Sequence, residues 1–285
     1  MKKNKPNKKS LSIRDKTLDL SSPQIMGILN ATPDSFSDGG NFNEVEAALG
    51  RIGLMISQGA HIIDVGGEST RPGSEPVTEQ EELDRVLPIL ERAISQFSDT
   101  FFSIDTTKYR VAEEALKLGT HFVNDVSGLR KEPRFVDLCV QYNAGYVMMH
   151  SQGNPKTMQK DPDYDNVIAD IKQFLKNRVN KAREKGLENI IIDPGIGFGK
   201  TLEHNLKLIA QLKEFQDLGC PILVGASRKS MIGQILNDRS VDDRLTGTIA
   251  VHYHAMINGA NIIRVHDVKE AHDSLQVFNA ISSAE

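Results

Sequence analysis

The chain has 285 residues, 39% hydrophobic and 25% charged, with a formal net charge of −4. That balance suits a globular protein with a full core and argues against nucleic acid as a main partner. Cys139 and Cys220 are its two cysteines, too few for a disulfide framework or a cysteine-based zinc site, and no apolar run could span a membrane. The opening "MKKNKPNKKS" is basic but lacks the apolar run of a signal peptide. Residues 1–22 are therefore expected to form a solvated, mobile tail, and a cytoplasmic location is the default.

Beyond that tail, short β-rich runs alternate with amphipathic stretches. In chain order the run "QIMGILN" precedes the helix pattern "NEVEAALGRIGLMISQG", and "HIIDVGG" precedes "TEQEELDRVLPILERAIS". Next come "FFSIDT" with "KYRVAEEALKLG", then "HFVNDVSG", then "GYVMMH" with "NVIADIKQFLKNRVNKAREKG". The series closes with "NIIIDPG" before "LEHNLKLIAQLKEF", then "CPILVGAS" and "NIIRVH". Gly59, Gly119, Gly186, Gly219 and Gly259 stand where left-handed helix caps are expected. Eight β-α units are the number that closes a parallel barrel, so residues 23–285 are predicted to form one (β/α)8 TIM barrel. A doubly wound open sheet is the alternative.

The stretch "IIDPGIGFGKT" looks like a phosphate-binding loop, but both templates fail. A P-loop needs glycine five residues before Gly199, where Pro194 has no amide hydrogen to offer. The dinucleotide pattern fails because the glycines fall at 195, 197 and 199. What remains is a strand delivering Asp193 at its C-terminal end.

In a barrel that end is where the site lies. Most strands finish there on a polar group: Asn30, Asp64, Asp105, Asn124 with Asp125, His150, Asp193, then Arg264 and His266. Ser227, Arg228, Lys229 and Ser230 follow the seventh strand. Any one could be a cap or a salt-bridge partner, but recurrence at the same end of successive strands points to a pocket for a polar small molecule. Asp105, Asn124, Asp193 and Lys229 supply two carboxylates, an amide and a cation. That set suits the amino-pyrimidinone edge of a flat heterocycle. Arg264 offers a guanidinium plane for stacking, and Arg264, His266 and Ser227 lie where barrels commonly hold phosphate. The loops "NATPDSFSDGG" and "GGESTRPG", after the first two strands, have the composition of lids.

The segments "GILNATPDSFSDGG", "DVGGESTRPG", "SIDT", "NDVSG", "MMHSQGNPKTMQ", "DPGIGFGKT", "GASRKSMIG", "TGT" and "RVHDV" together resemble the dihydropteroate synthase family, from Gln24 to about Val268. The resemblance implies a (β/α)8 barrel, usually a homodimer, that joins p-aminobenzoate to a dihydropterin diphosphate with release of diphosphate and with Mg²⁺ as cofactor. It implies pterin binding by Asp105, Asn124, Asp193 and Lys229, with Arg264 stacked on the ring and Met148 and Phe198 at its border. Asn30 would bind Mg²⁺ and diphosphate, Arg264 and His266 diphosphate, and Thr70, Arg71 and Ser230 p-aminobenzoate. The catalytic set implied is Asn30, Asp105, Lys229, Arg264 and His266. Ser151 departs from the family, where a larger residue such as methionine is expected. The alternatives are a pterin-binding methyltransferase domain, a Schiff-base aldolase using Lys229, and a non-catalytic pterin carrier.

Overall fold

The computed structural model describes residues 9–31, 40–68, 76–153, 158 and 162–284. Thr70 and Arg71, and most of the two glycine-rich loops, lie outside them.

All eight expected strands form: β3 (Gln24–Asn30), β4 (Ile62–Gly66), β5 (Phe101–Asp105), β6 (Phe122–Asp125), β7 (Gly145–Met149), β8 (Ile190–Asp193), β9 (Leu223–Val224) and β10 (Ile262–Val265). Each is parallel to its neighbours in chain order, and β10 returns to pair with β3. A parallel bridge between Ile192 and Ile222 joins β8 to the start of β9 and completes the ring. This is the (β/α)8 barrel; the open-sheet alternative is excluded. β9 is the weak member, with two ladder residues.

The helices follow from the patterns that predicted them. α2 (Glu79–Gln96) starts on a capping box in which Thr78 and Glu81 exchange bonds. α3 (Tyr109–Leu118) ends at Gly119, φ 112°, whose amide reaches Ala115 and Leu116 carbonyls. α5 (Val167–Glu184) is capped by the Asn166 side chain. One expectation breaks: "LEHNLKLIAQLKEF" is not one helix. α6 (Leu202–Ala210) stops at Gln211, and a 3-10 turn, Leu212–Leu218, carries the chain to the left-handed Gly219. The remaining helices are α1 (Gly40–Ser57), α4 (Phe135–Gln141), α7 (Ser230–Ile235), α8 (Leu245–Ile257) and α9 (Val268–Ser282).

The expected tail over residues 1–22 is corrected in its second half. Strands β1 (Ser10–Ile13) and β2 (Lys16–Asp19) pair as an antiparallel hairpin. Their alternating pattern buries Leu11, Ile13 and Leu18, with Leu20 following. These side chains cluster with Met26, Ile62, Phe101, Phe122, Val147, Ile191, Leu223 and Ile262, the inward residues at the N-terminal ends of the barrel strands. The hairpin therefore plugs the lower mouth, each buried aliphatic contributing about 1.5–3 kcal/mol. Two four-residue strands beside a lysine-rich start are too short to stand out in the sequence.

Candidate active site

The lower barrel layer fixes which side chains point inward above it, because residues two apart on a strand share a face. Moving up two residues from Ile62, Phe122, Ile191 and Ile262 gives Asp64, Asn124, Asp193 and Arg264. From Phe101 the same step gives Ser103, and the next gives Asp105. The barrel interior thus changes within one layer from hydrocarbon to carboxylates, an amide and a guanidinium.

Four of these groups, Asp64, Asp105, Asn124 and Arg264, are bonded to one another. Arg264 Nε donates to Asp64 Oδ2 at 2.6 Å, and its Nη2 to Asp105 Oδ2 at 2.7 Å. Asn124 Nδ2 donates to the same Asp64 oxygen at 2.9 Å. Asp64 is fully buried, and its Oδ1 has no partner among the described residues. It is the residue the sequence left without a role: it sits in phase with Asn124 and Asp193, and it anchors both Arg264 and Asn124.

The eighth-strand loop supplies the other wall. Asp193 Oδ1 accepts the Gly195 amide at 2.6 Å. Lys229 precedes α7 and crosses to the Ile196 carbonyl, with its Nζ 4.3 Å from the centre of the Phe198 ring. Gly197 has φ 80°, and a Cβ there would lie 2.9 Å from Lys229 Cδ, so the lysine stem packs directly on backbone. On the far side, Ser227 Oγ lies 3.0 Å from His266 Nδ1 and accepts the His266 amide at 3.2 Å. Arg228 forms a two-point pair with Asp267, binding the loop of Lys229 to that of His266.

Burial sets the protonation of the pocket. It pushes Asp105 up to about 7 although the Arg264 guanidinium works the other way. It raises Asp193 too, against Lys229 and the Gly195 amide. Lys229 is pushed down to about 7, with Asp193 opposing that fall. Displaced groups gathered at one barrel mouth mark it as the candidate active site.

Of the residues picked out by sequence, Asp105, Asn124, Asp193, Lys229, Arg264 and Phe198 come together. Asn30 stands at the end of β3, half-buried, opposite Gly66 of β4. Ser230 is exposed and opens α7. Ser151 is buried and donates to the Val126 carbonyl at 2.7 Å, closing the rim with a short side chain. Met148 departs from its expected place. It pairs in register with Asp125 and packs in the core between barrel and helices, together with Tyr146. Met149, in register with Asp193, has the inward parity. Met148→Ala is therefore expected to cost about 2–5 kcal/mol of stability and leave pterin affinity within twofold. Met149→Ala is expected to weaken pterin binding more than it lowers the melting temperature. Calorimetry beside thermal melts checks both, and the reverse pattern would put Met148 at the pocket.

Known proteins share this sequence and this fold. The family model described as "Pterin binding enzyme" matches residues 26–266. A dihydropteroate synthase of Escherichia coli (strain K12) is 48% identical over 270 residues, 94% of this chain and 95% of that one. That of Synechocystis is 48% identical, covering 90% and 89%. Among solved structures, the Yersinia pestis dihydropteroate synthase with a sulfonamide drug superposes with a TM-score of 0.89 at 45% identity, covering 96% of this chain and 99% of that one. The Xanthomonas albilineans enzyme with 4-aminobenzoic acid gives 0.89 at 39% identity, covering 96% and 98%. With a barrel whose inward layer turns polar at the same height, and with identity close to one half over nearly the full length, the chain belongs to the pterin-binding enzyme family, among its dihydropteroate synthases.

Proposed function

We propose that the upper barrel mouth binds a dihydropterin diphosphate and transfers its pterinylmethyl group to the amine of p-aminobenzoate. The observation that carries this reading is the inward polar layer of Asp64, Asp105, Asn124, Asp193 and Arg264, facing Lys229. Carboxylates accept the donors of an amino-pyrimidinone edge, and Lys229 donates to its carbonyl. Arg264 holds two carboxylates at once, so its guanidinium is fixed in plane as a surface for the ring. The bond from the pterin methylene to diphosphate oxygen breaks as the pterin takes up positive charge. The amine nitrogen then bonds to the methylene and loses a proton. Arg264 and His266 offset charge on the departing diphosphate.

Mg²⁺ fits this site in one way. Among the described residues no group of three or more His, Cys, Asp or Glu could hold a metal, whereas Asn30 offers one amide oxygen at the strand end. Magnesium commonly binds through one or two protein oxygens together with substrate phosphates, so Asn30 would hold an ion carried by the diphosphate, which supplies positive charge there. Ser230 and the residues outside the described segments, Thr70 and Arg71, would take p-aminobenzoate. The relatives support the synthase over the methyltransferase, aldolase and carrier readings. Exposed Ile257, Val277 and Ile281 on α8 and α9 support a homodimer.

Turnover of the pterin diphosphate with and without p-aminobenzoate, and with Mg²⁺ omitted, tests the reading; diphosphate release independent of the amine would contradict it. Asn30→Ala refines it. As a turn cap, Asn30 would cost its variant about 0.5–2 kcal/mol and leave magnesium dependence alone. The proposed role predicts intact pterin binding, slowed turnover and a higher half-activating Mg²⁺ concentration. A magnesium titration beside a thermal melt separates the two.

A further inference from the structure

Lys200, the lysine that made "GFGKT" look like a phosphate loop, lies inside the protein at 3% exposure. Its Nζ meets three acceptors: the Phe198 carbonyl at 2.9 Å, His150 Nδ1 at 3.1 Å and the His150 carbonyl at 3.4 Å. Three acceptors match the three N–H donors of an ammonium. Among the described residues it makes no ion pair. A buried cation without a carboxylate is expensive, and here it is held by those three acceptors alone, which an apolar side chain would leave unmatched.

What Lys200 joins gives the reason. His150 follows β7, and its amide donates to the Asp193 carbonyl at 2.9 Å. Gly195 brings the β8 loop so close that a Cβ there would sit 1.8 Å from the His150 carbonyl oxygen. Phe198, whose carbonyl Lys200 holds, turns its ring to Lys229. We infer that Lys200 is a positioning residue of the pterin pocket: by tying the Phe198 carbonyl to His150 it holds the Phe198 ring against Lys229 and the β8 loop beside Asp193. This rests on the reading that Asp193, Phe198 and Lys229 face the pterin.

The groups facing Lys200 are Asp193 on β8, Lys229 before α7, Arg130 after β6 and His150 after β7. Burial pushes Lys200 well below the ordinary lysine range; Asp193 opposes this, while Lys229 and Arg130 add to it.

Lys200→Met is the test, with pterin affinity measured by calorimetry across pH and the fold checked by circular dichroism. The expected result is a folded protein whose pterin affinity at pH 6 falls at least about fivefold. Affinity within twofold of the parent overturns the inference. Lys200→Gln, which keeps a donor for Phe198, should show a smaller loss, and a loss as large as that of Lys200→Met also overturns the inference. If neither variant folds, Lys200 is a structural residue and the inference falls. Asp193→Asn run alongside tells the two failures apart: if that variant binds pterin like the parent, the pocket reading itself is wrong.

Discussion

Replacing Arg264 with methionine is expected to lower folding stability at pH 8 by about 3–5 kcal/mol, the usual cost of stranding a buried charge, and to slow turnover by at least about 10²-fold. Methionine keeps the apolar stem, so the loss reports the guanidinium. That group is bonded to Asp64, fully buried, and to Asp105, 7% exposed. Without it two carboxylates share a dry interior, and Asp105, already at about 7, rises further. Between the unfolded carboxyl value near 3.9 and the raised folded value, the folded protein holds a proton that the unfolded chain has released. Stability from this group is therefore full at low pH and lost as pH rises through the folded value. The variant's deficit should accordingly shrink toward pH 5, where Asp105 carries a proton in both proteins. Urea melts at pH 5 and pH 8 check this; an equal deficit at both would mean that Arg264 does not govern the pair.

Asp193→Asn is expected to weaken pterin binding at least about tenfold with the fold intact. The amide oxygen can still accept from Gly195, which now bonds Asp193 Oδ1 at 2.6 Å. The other position changes from acceptor to donor, opposite the donors of the heterocycle, and an unmatched buried polar group costs about 1–3 kcal/mol. Asp193 also opposes the fall of Lys229. Its loss lets Lys229 drop below about 7, so the alkaline limb of pterin binding should move down. Calorimetry across pH reads both effects, and unchanged affinity at pH 6 would remove Asp193 from the pocket.

The chemistry of the site was legible because barrels put it in one place on every strand. "HIIDVGG", "FFSIDT", "HFVNDVSG" and "NIIIDPG" each run from hydrocarbon into an acid or amide at the C-terminal end, and the structure gathers Asp64, Asp105, Asn124 and Asp193 there. Facing direction was harder to read. In "GYVMMH" both faces are buried, one in the barrel and one under the helices, so no polar alternation marks the inside and Met148 and Met149 look alike.

The sequence by itself determined the alternation of eight strands with helices, the family, and the residue types available at the barrel mouth, since each is written in local pattern. Tertiary structure decided what depends on neighbours distant in the chain. It gave Asp64 its place under Arg264, 200 residues away, and turned residues 10–19 from a tail into the plug of the lower mouth. It also took Lys200 from a loop motif into the interior against His150. A side chain's partners across a closed barrel are set by strand register and parity, and neither quantity is encoded in any one segment.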